Sequence, residues 1–133
     1  MTGHGECNRI LVAEDDALLA ETVNEFLTQE GYCVAVSPDG QEALEAASRK
    51  KFAALLTDLR MPRLDGAALV RRLRANRPEL PVVVMTGFVP ADWRSTLQQE
   101  GEGPLVLLDK PIRLKNLLSA LREVLGTARH GAS

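Results

Sequence analysis

Short runs of uninterrupted apolar residues alternate along the chain with longer segments whose apolar positions return every three or four residues. The runs are Ile10–Ala13, Cys33–Val36, Phe52–Leu56, Val82–Met85 and Leu105–Leu108. A strand with one wet face would alternate, so runs apolar throughout predict strands covered on both faces. The first helical segment, Ala17 to Glu30, puts Leu19, Val23, Phe26 and Leu27 on one stripe, with Gly31 as its stop. A second begins at Asp39, a capping carboxylate with Glu42 three residues on, and carries Ala43, Leu44 and Ala47 inward. The third runs from Gly66 to Ala75 with Leu69, Val70 and Leu73 inward and Pro78 beyond its end. A fourth, Pro90 to Gln99, offers only Trp93 and Leu97 as an inward pair before Gly101, Gly103 and Pro104, and is expected to be the most mobile element. The last, Leu114 to Leu125, repeats leucine at 114, 117, 118, 121 and 125 before Gly126.

Five strand–helix repeats predict an α/β domain, a parallel sheet with helices on both faces, over residues 8–126. Residues 1–7 and 127–133 are expected to be tails. A chain of 133 residues with 45% apolar residues can bury a core without metal or disulfide support. Its net charge of −2 argues against a nucleic-acid surface. No apolar run approaches the roughly 18 residues of a membrane span. The opening MTGHGECNR lacks the apolar centre of a secretion signal. Cys7 and Cys33 lack metal-ligand spacing, so a cytoplasmic protein with reduced thiols is expected.

Ligands of such sheets bind at the carboxyl ends of the strands, and there the polar residues gather. Glu14-Asp15-Asp16 follow the first run, Thr57-Asp58 the third, Thr86-Gly87 the fourth and Asp109-Lys110-Pro111 the fifth. The second ends blandly, in Ser37-Pro38. Glu14, Asp15 and Asp58 in one crevice would repel one another, so either one protonates or a cation sits between them. A hard divalent ion with oxygen ligands suits the second option. Asp16 is assigned to starting the first helix. A cation, a lysine, a hydroxyl and an acid able to attack together describe a site for a phosphoryl group.

Four motifs, ILVAEDD, LLTDLRMPRLDG, PVVVMTG and LLDKPI, stand at four strand ends in this order. With them the chain, from about Arg9 to Leu125, resembles the CheY-like receiver domain of a two-component response regulator. The resemblance implies a flavodoxin-like (βα)5 fold with strand order 2-1-3-4-5. It implies that Asp58 takes a phosphoryl group from a phosphohistidine on a histidine kinase or phosphotransferase. Asp15 would be a direct Mg2+ ligand together with Asp58, Glu14 would help to place the ion, and the backbone carbonyl of Arg60 would complete the protein's ligands. Thr86 would hydrogen-bond a phosphoryl oxygen and Lys110 would pair with it, while Gly87 leaves room. Asp65 and Gly66 belong to the turn into the third helix, and the Lys110-Pro111 peptide is commonly cis in the family. A downstream protein would be met on the face of the fourth helix, fifth strand and fifth helix, with no nucleic acid and no membrane involved. Both a stand-alone regulator and the receiver piece of a hybrid sensor kinase fit.

The chain departs from the family at Leu107, where an aromatic switch residue usually stands. The signal is therefore expected as a population shift in residues 86–104, around Thr86 and Gly87. Arg60 and Phe88 occupy positions where amides or acids orient attacking water in fast self-dephosphorylating regulators, so slow to intermediate loss of phosphate is expected. His4 and His130 lie in the tails, which leaves the phosphohistidine donor to another protein or another part of a longer chain. Arg71, Arg72, Arg74 and Arg77 read as a solvated helix face, without aromatic residues for base stacking. Trp93 reads as a partly buried packing residue. The competing interpretation is a receiver-like interaction module that accepts no phosphate; the intact Glu14, Asp15, Asp58, Thr86 and Lys110 weigh against it. A phosphatase or mutase working through an aspartyl phosphate would need an acid at position 60, and a P-loop hydrolase would need GxxxxGK[ST].

Overall fold

The computed structural model describes residues 8–87, 91 and 103–132, with side chains as far as 126. Five parallel strands, β1 (Arg9–Ala13), β2 (Cys33–Ser37), β3 (Ala54–Asp58), β4 (Val82–Thr86) and β5 (Leu105–Asp109), form one sheet. Their order is β2-β1-β3-β4-β5. Helices α1 (Ala17–Gln29), α2 (Gly40–Arg49), α3 (Gly66–Asn76) and α4 (Leu114–Ala132) cover it. This is the flavodoxin-like arrangement that the strand–helix alternation and the motifs imply. The helix expected over Pro90 to Gln99, with Trp93, lies outside the described residues.

The uninterrupted apolar runs follow from two cores, one on each side of the sheet. Ile10, Val12, Ala54, Leu56, Val83 and Met85 face one side, where α1 and α4 pack. Leu11, Ala13, Leu55, Val82 and Val84 face the other, beneath α2 and α3. Consecutive strand residues therefore enter opposite cores, and both kinds must be apolar. Leu117 and Leu121 of α4 are wholly buried, each contributing about 1.5–3 kcal/mol by removal from water.

Local signals set the helix boundaries. Asp16 caps α1, accepting from the N–H groups of Leu18 and Leu19 at 3.1 and 3.2 Å. Asp39 caps α2 through the Glu42 N–H at 2.8 Å, and Asp65 caps α3 through Ala68 at 2.8 Å. Gly31 ends α1 with a φ of 98°, a conformation that costs glycine nothing. Gly126 does not act alike. It lies inside α4, which continues to Ala132, so residues 127–132 are helical where a tail is expected. Glycine weakens a helix interior by about 1 kcal/mol but stops it only when the backbone turns left-handed, and no proline follows to enforce a stop.

Two further expectations are corrected. The third strand is Ala54–Asp58, two residues later than the apolar run Phe52–Leu56. Backbone pairing with β4 carries it through Thr57 and Asp58, whose partners are Val84 and Met85. Cys33 is disulfide-bonded rather than a free thiol. The parallel pairing of β1 and β2 sets Arg9 opposite Cys33, and the Cys33 N–H donates to the Asn8 carbonyl at 2.9 Å. Sequence spacing shows nothing of that proximity.

Candidate functional site

Because β1, β3, β4 and β5 run parallel, their last residues share one edge. Asp58 is the final residue of β3 and only 7% exposed. Hydrogen bonding along the sheet fixes its backbone, with the Leu59 N–H donating to the Met85 carbonyl at 3.2 Å. Gly66 closes the loop that follows, its N–H donating to the Leu59 carbonyl at 2.8 Å. A Cβ on Gly66 would lie 2.0 Å from the Asp58 carbonyl oxygen, so this crossing admits glycine alone.

The side chains meet as the sequence suggests. Lys110 Nζ donates to Asp58 Oδ2 at 2.8 Å and to Glu14 Oε1 at 3.1 Å. The Arg60 N–H donates to Asp58 Oδ1 at 3.2 Å, and the Asp16 N–H to Glu14 Oε2 at 3.0 Å. Glu14, Asp15 and Asp58 each bring a carboxylate oxygen within 4.8 Å of the others. Glu14 is buried and Asp15 exposed. A cavity of about 270 Å³ opens among Asp58, Arg60, Thr86, Gly87 and Lys110. Thr86 is buried, and its carbonyl accepts from the Lys110 N–H at 2.8 Å, which locks β4 to the lysine loop. The Lys110-Pro111 peptide in that loop is cis. Among the described residues, no atom lies within 4 Å of a Cβ built at Gly87. Leu107 sits inside β5 opposite Val84 and packs against the α2–α3 core. Phe88 lies outside the described residues.

Electrostatics distinguish these acids. Burial pushes the Glu14 carboxyl up to about 7, and the nearby Asp58 charge pushes the same way against the Asp16 N–H and Lys110. For Lys110, burial favours the neutral amine, but the hydrogen bonds and charges of Asp58 and Glu14 outweigh it and hold the ammonium above its ordinary value. With all groups ionised, three carboxylates and one ammonium leave a local charge of −2. One divalent cation would cancel it. The donors are all oxygens, the set that suits Mg2+ or a similar hard ion.

Arg74, expected on a solvated helix face, instead lies in the interior. It is 1% exposed, not solvated. Its Nε and NH2 donate to the Leu80 carbonyl at 3.2 and 2.9 Å, and NH2 also to the Pro104 carbonyl at 2.9 Å. It thus ties the end of α3 to the starts of β4 and β5. Arg77 likewise donates to the Phe52 carbonyl, while Arg71 and Arg72 are exposed as expected. The signal was available: Arg74 lies four and five residues after Val70 and Leu69, on the inward stripe of α3.

An acid at the tip of a central strand beside a lysine and two further acids, on a five-stranded parallel sheet of order 2-1-3-4-5, is the arrangement of a receiver-type α/β domain. The chain belongs to the response regulator receiver domain family, whose model matches residues 10–122. Response regulator MprA of Mycobacterium leprae is 37% identical over 117 residues, 88% of this chain and 50% of that protein. The chain spans about half the length of the curated relatives it matches. The chemotaxis protein CheY4 of Vibrio cholerae superposes with a TM-score of 0.82 at 25% identity, covering 89% of this chain and 98% of that one. The receiver domain of the sensor histidine kinase PA1611 of Pseudomonas aeruginosa, described with a magnesium ion coordinated in its active-site cleft, is 30% identical. Its TM-score is 0.77, with 90% of this chain and 98% of that chain covered. Among the described residues, no helix is long and apolar enough to cross a membrane.

Proposed function

We propose that this receiver domain accepts a phosphoryl group on Asp58 from a phosphohistidine of a histidine kinase or phosphotransferase and passes the signal on through protein contacts. The observation that carries this reading is the meeting of Asp58 with Lys110 at 2.8 Å beside Glu14 and Asp15. Asp15, Asp58 and the Arg60 carbonyl would hold Mg2+, with Glu14 positioned to steady its waters. When bound, the ion supplies positive charge to the acids and the phosphoryl oxygens. An Asp58 carboxylate oxygen attacks phosphorus, and the N–P bond breaks with its electron pair returning to the imidazole nitrogen. The product is an acyl phosphate, formed with no proton taken from Asp58. Lys110, already on Asp58 Oδ2, would turn to the incoming phosphoryl oxygens, and the Thr86 hydroxyl would bond another. Output would leave through the face that includes β5 and α4.

Acetyl phosphate with Mg2+ tests the reading, with intact mass as the readout. One added phosphate is expected on the wild type and none on Asp58→Ala. Phosphate retained by Asp58→Ala would move the acceptor elsewhere. A wild type that gains none, from acetyl phosphate or a phosphorylated kinase, would favour the interaction module that accepts no phosphate.

A further inference from the structure

At the opposite edge of the sheet, where the strands begin, a cavity of about 380 Å³ opens between the C-terminal ends of α2 and α3. Its floor is apolar, made by Leu44 and Ala47 of α2, Phe52 and Leu55 around the start of β3, and Leu73 and Leu80. Its mouth carries four cations: Arg49, Lys50, Lys51 and Arg77. No carboxylate is among the described residues that line it. The volume lies within the roughly 300–1,000 Å³ usual for small-molecule sites.

Basic residues at helix C-termini also complement the helix dipole, and Arg49 and Arg77 stand at such ends. The magnitudes show that this cannot use up the charge. Each helix end presents about half a negative charge, so two ends offset about one of four positive charges. Arg77 donates to the Phe52 carbonyl, which brings its guanidinium to the cavity wall, and that bond uses one of the five N–H donors of an arginine. Arg49, Lys50 and Lys51 are exposed. An apolar floor beneath a cationic mouth, with no carboxylate among the described lining residues, is complementary to a molecule with an apolar body and an anionic head.

We infer that this cavity binds an amphiphilic anion, an unbranched alkyl chain of medium length ending in a carboxylate, with the chain on Leu44, Phe52 and Leu73 and the head at Lys50, Lys51 and Arg77. Such a site is independent of phosphoryl transfer, because Asp58 lies at the other end of β3.

The test is a titration of the full chain with decanoate, kept below micelle-forming concentrations and followed by amide NMR. Decyltrimethylammonium, with the same chain and opposite charge, is the control. Saturable shifts centred on Leu44 and Leu73 are expected with decanoate and not with the cation. Lys50→Glu with Lys51→Glu should weaken decanoate roughly tenfold without changing phosphorylation of Asp58. Asp58→Asn should bind decanoate as the wild type does. Because both lysines are exposed, the double variant is expected to fold, and its amide spectrum verifies that. Shifts that fail to saturate, that are equal for the two head groups, or that survive charge reversal would overturn the inference.

Discussion

Lys110 and Arg74 stand at opposite edges of the same sheet, each drawn out of water, and each answers to different partners. Lys110 bridges two carboxylates, Glu14 and Asp58. Arg74 bridges two carbonyls, those of Leu80 and Pro104. A cation among ionisable partners sits in a balance that a ligand can change: bring in a phosphoryl group or a divalent ion and its bonds redistribute. A cation among neutral carbonyls has nothing to exchange. Burial pushes the Arg74 guanidinium down from its ordinary value, yet arginine does not give up its proton in proteins. On the proposed function the first edge is the reactive one, while the second holds strand starts in register.

Removing each cation should therefore fail in a different way. Lys110→Met is expected to slow phosphorylation by acetyl phosphate roughly 10²–10³-fold, the usual loss for a preorganised charge-stabilising donor, while the protein stays folded. Initial rates by intact mass measure this. A rate close to wild type would reduce Lys110 to a structural partner of Glu14. Arg74→Ala should instead cost about 3 kcal/mol in urea unfolding, because the buried Leu80 carbonyl loses its donors, the Pro104 carbonyl keeps only the Val82 N–H, and a large buried side chain is removed. The folded fraction should still phosphorylate at the wild-type rate. Arg74→Lys keeps the charge but loses the planar fork that reaches both carbonyls, so it should recover only part of the loss.

The same contrast predicts a pH dependence confined to the carboxyl edge. Asp15, Asp58, Lys110 and the Asp16 N–H surround Glu14, whose carboxyl stands at about 7 against an ordinary 4.5. The folded state thus holds a proton that the unfolded state releases between those values. Stability from this group is complete below pH 4.5 and is lost as pH rises towards 7. Without divalent ions, unfolding free energy should fall by about 2 kcal/mol between roughly pH 5.5 and 7.5. Glu14→Gln should flatten the profile, and so should saturating Mg2+, which favours the ionised carboxylate. A flat profile in the metal-free wild type would mean that Glu14 is better solvated than its burial implies.

Most of the carboxyl edge was legible in the sequence because a parallel sheet converts sequence position into spatial position. Each apolar run announces a strand, and whatever polar residue follows it must reach the same edge. Hence Glu14, Asp58, Thr86 and Lys110 meet, although 96 residues separate Glu14 from Lys110. Hydropathy failed where the backbone, not the side chain, decides. β3 continues through Thr57 and Asp58 because strand pairing does not stop at polar residues, and α4 passes Gly126 because no left-handed turn is imposed there. It failed also at Arg74, whose type suggests solvent while its position on the α3 stripe points inward. The disulfide at Cys33 was hidden for a related reason: strand register, not spacing, brings the start of β1 beside β2.

The smallest predicted effect concerns the exposed cations of the amino edge and decides whether the two edges are coupled. Lys50 and Lys51 make none of the buried contacts that hold Arg74 or Lys110, and surface charges of this kind change stability by no more than about 0.5 kcal/mol. Lys50→Glu with Lys51→Glu should therefore leave both the urea midpoint and the phosphorylation rate close to wild type. β3 nonetheless joins the two edges, running from the floor of the amino-edge cavity to Asp58. If charge reversal at Lys50 and Lys51 altered the Asp58 rate while stability stayed constant, strand β3 would be transmitting the state of one edge to the other, and their separation into a reactive and a structural edge would fail.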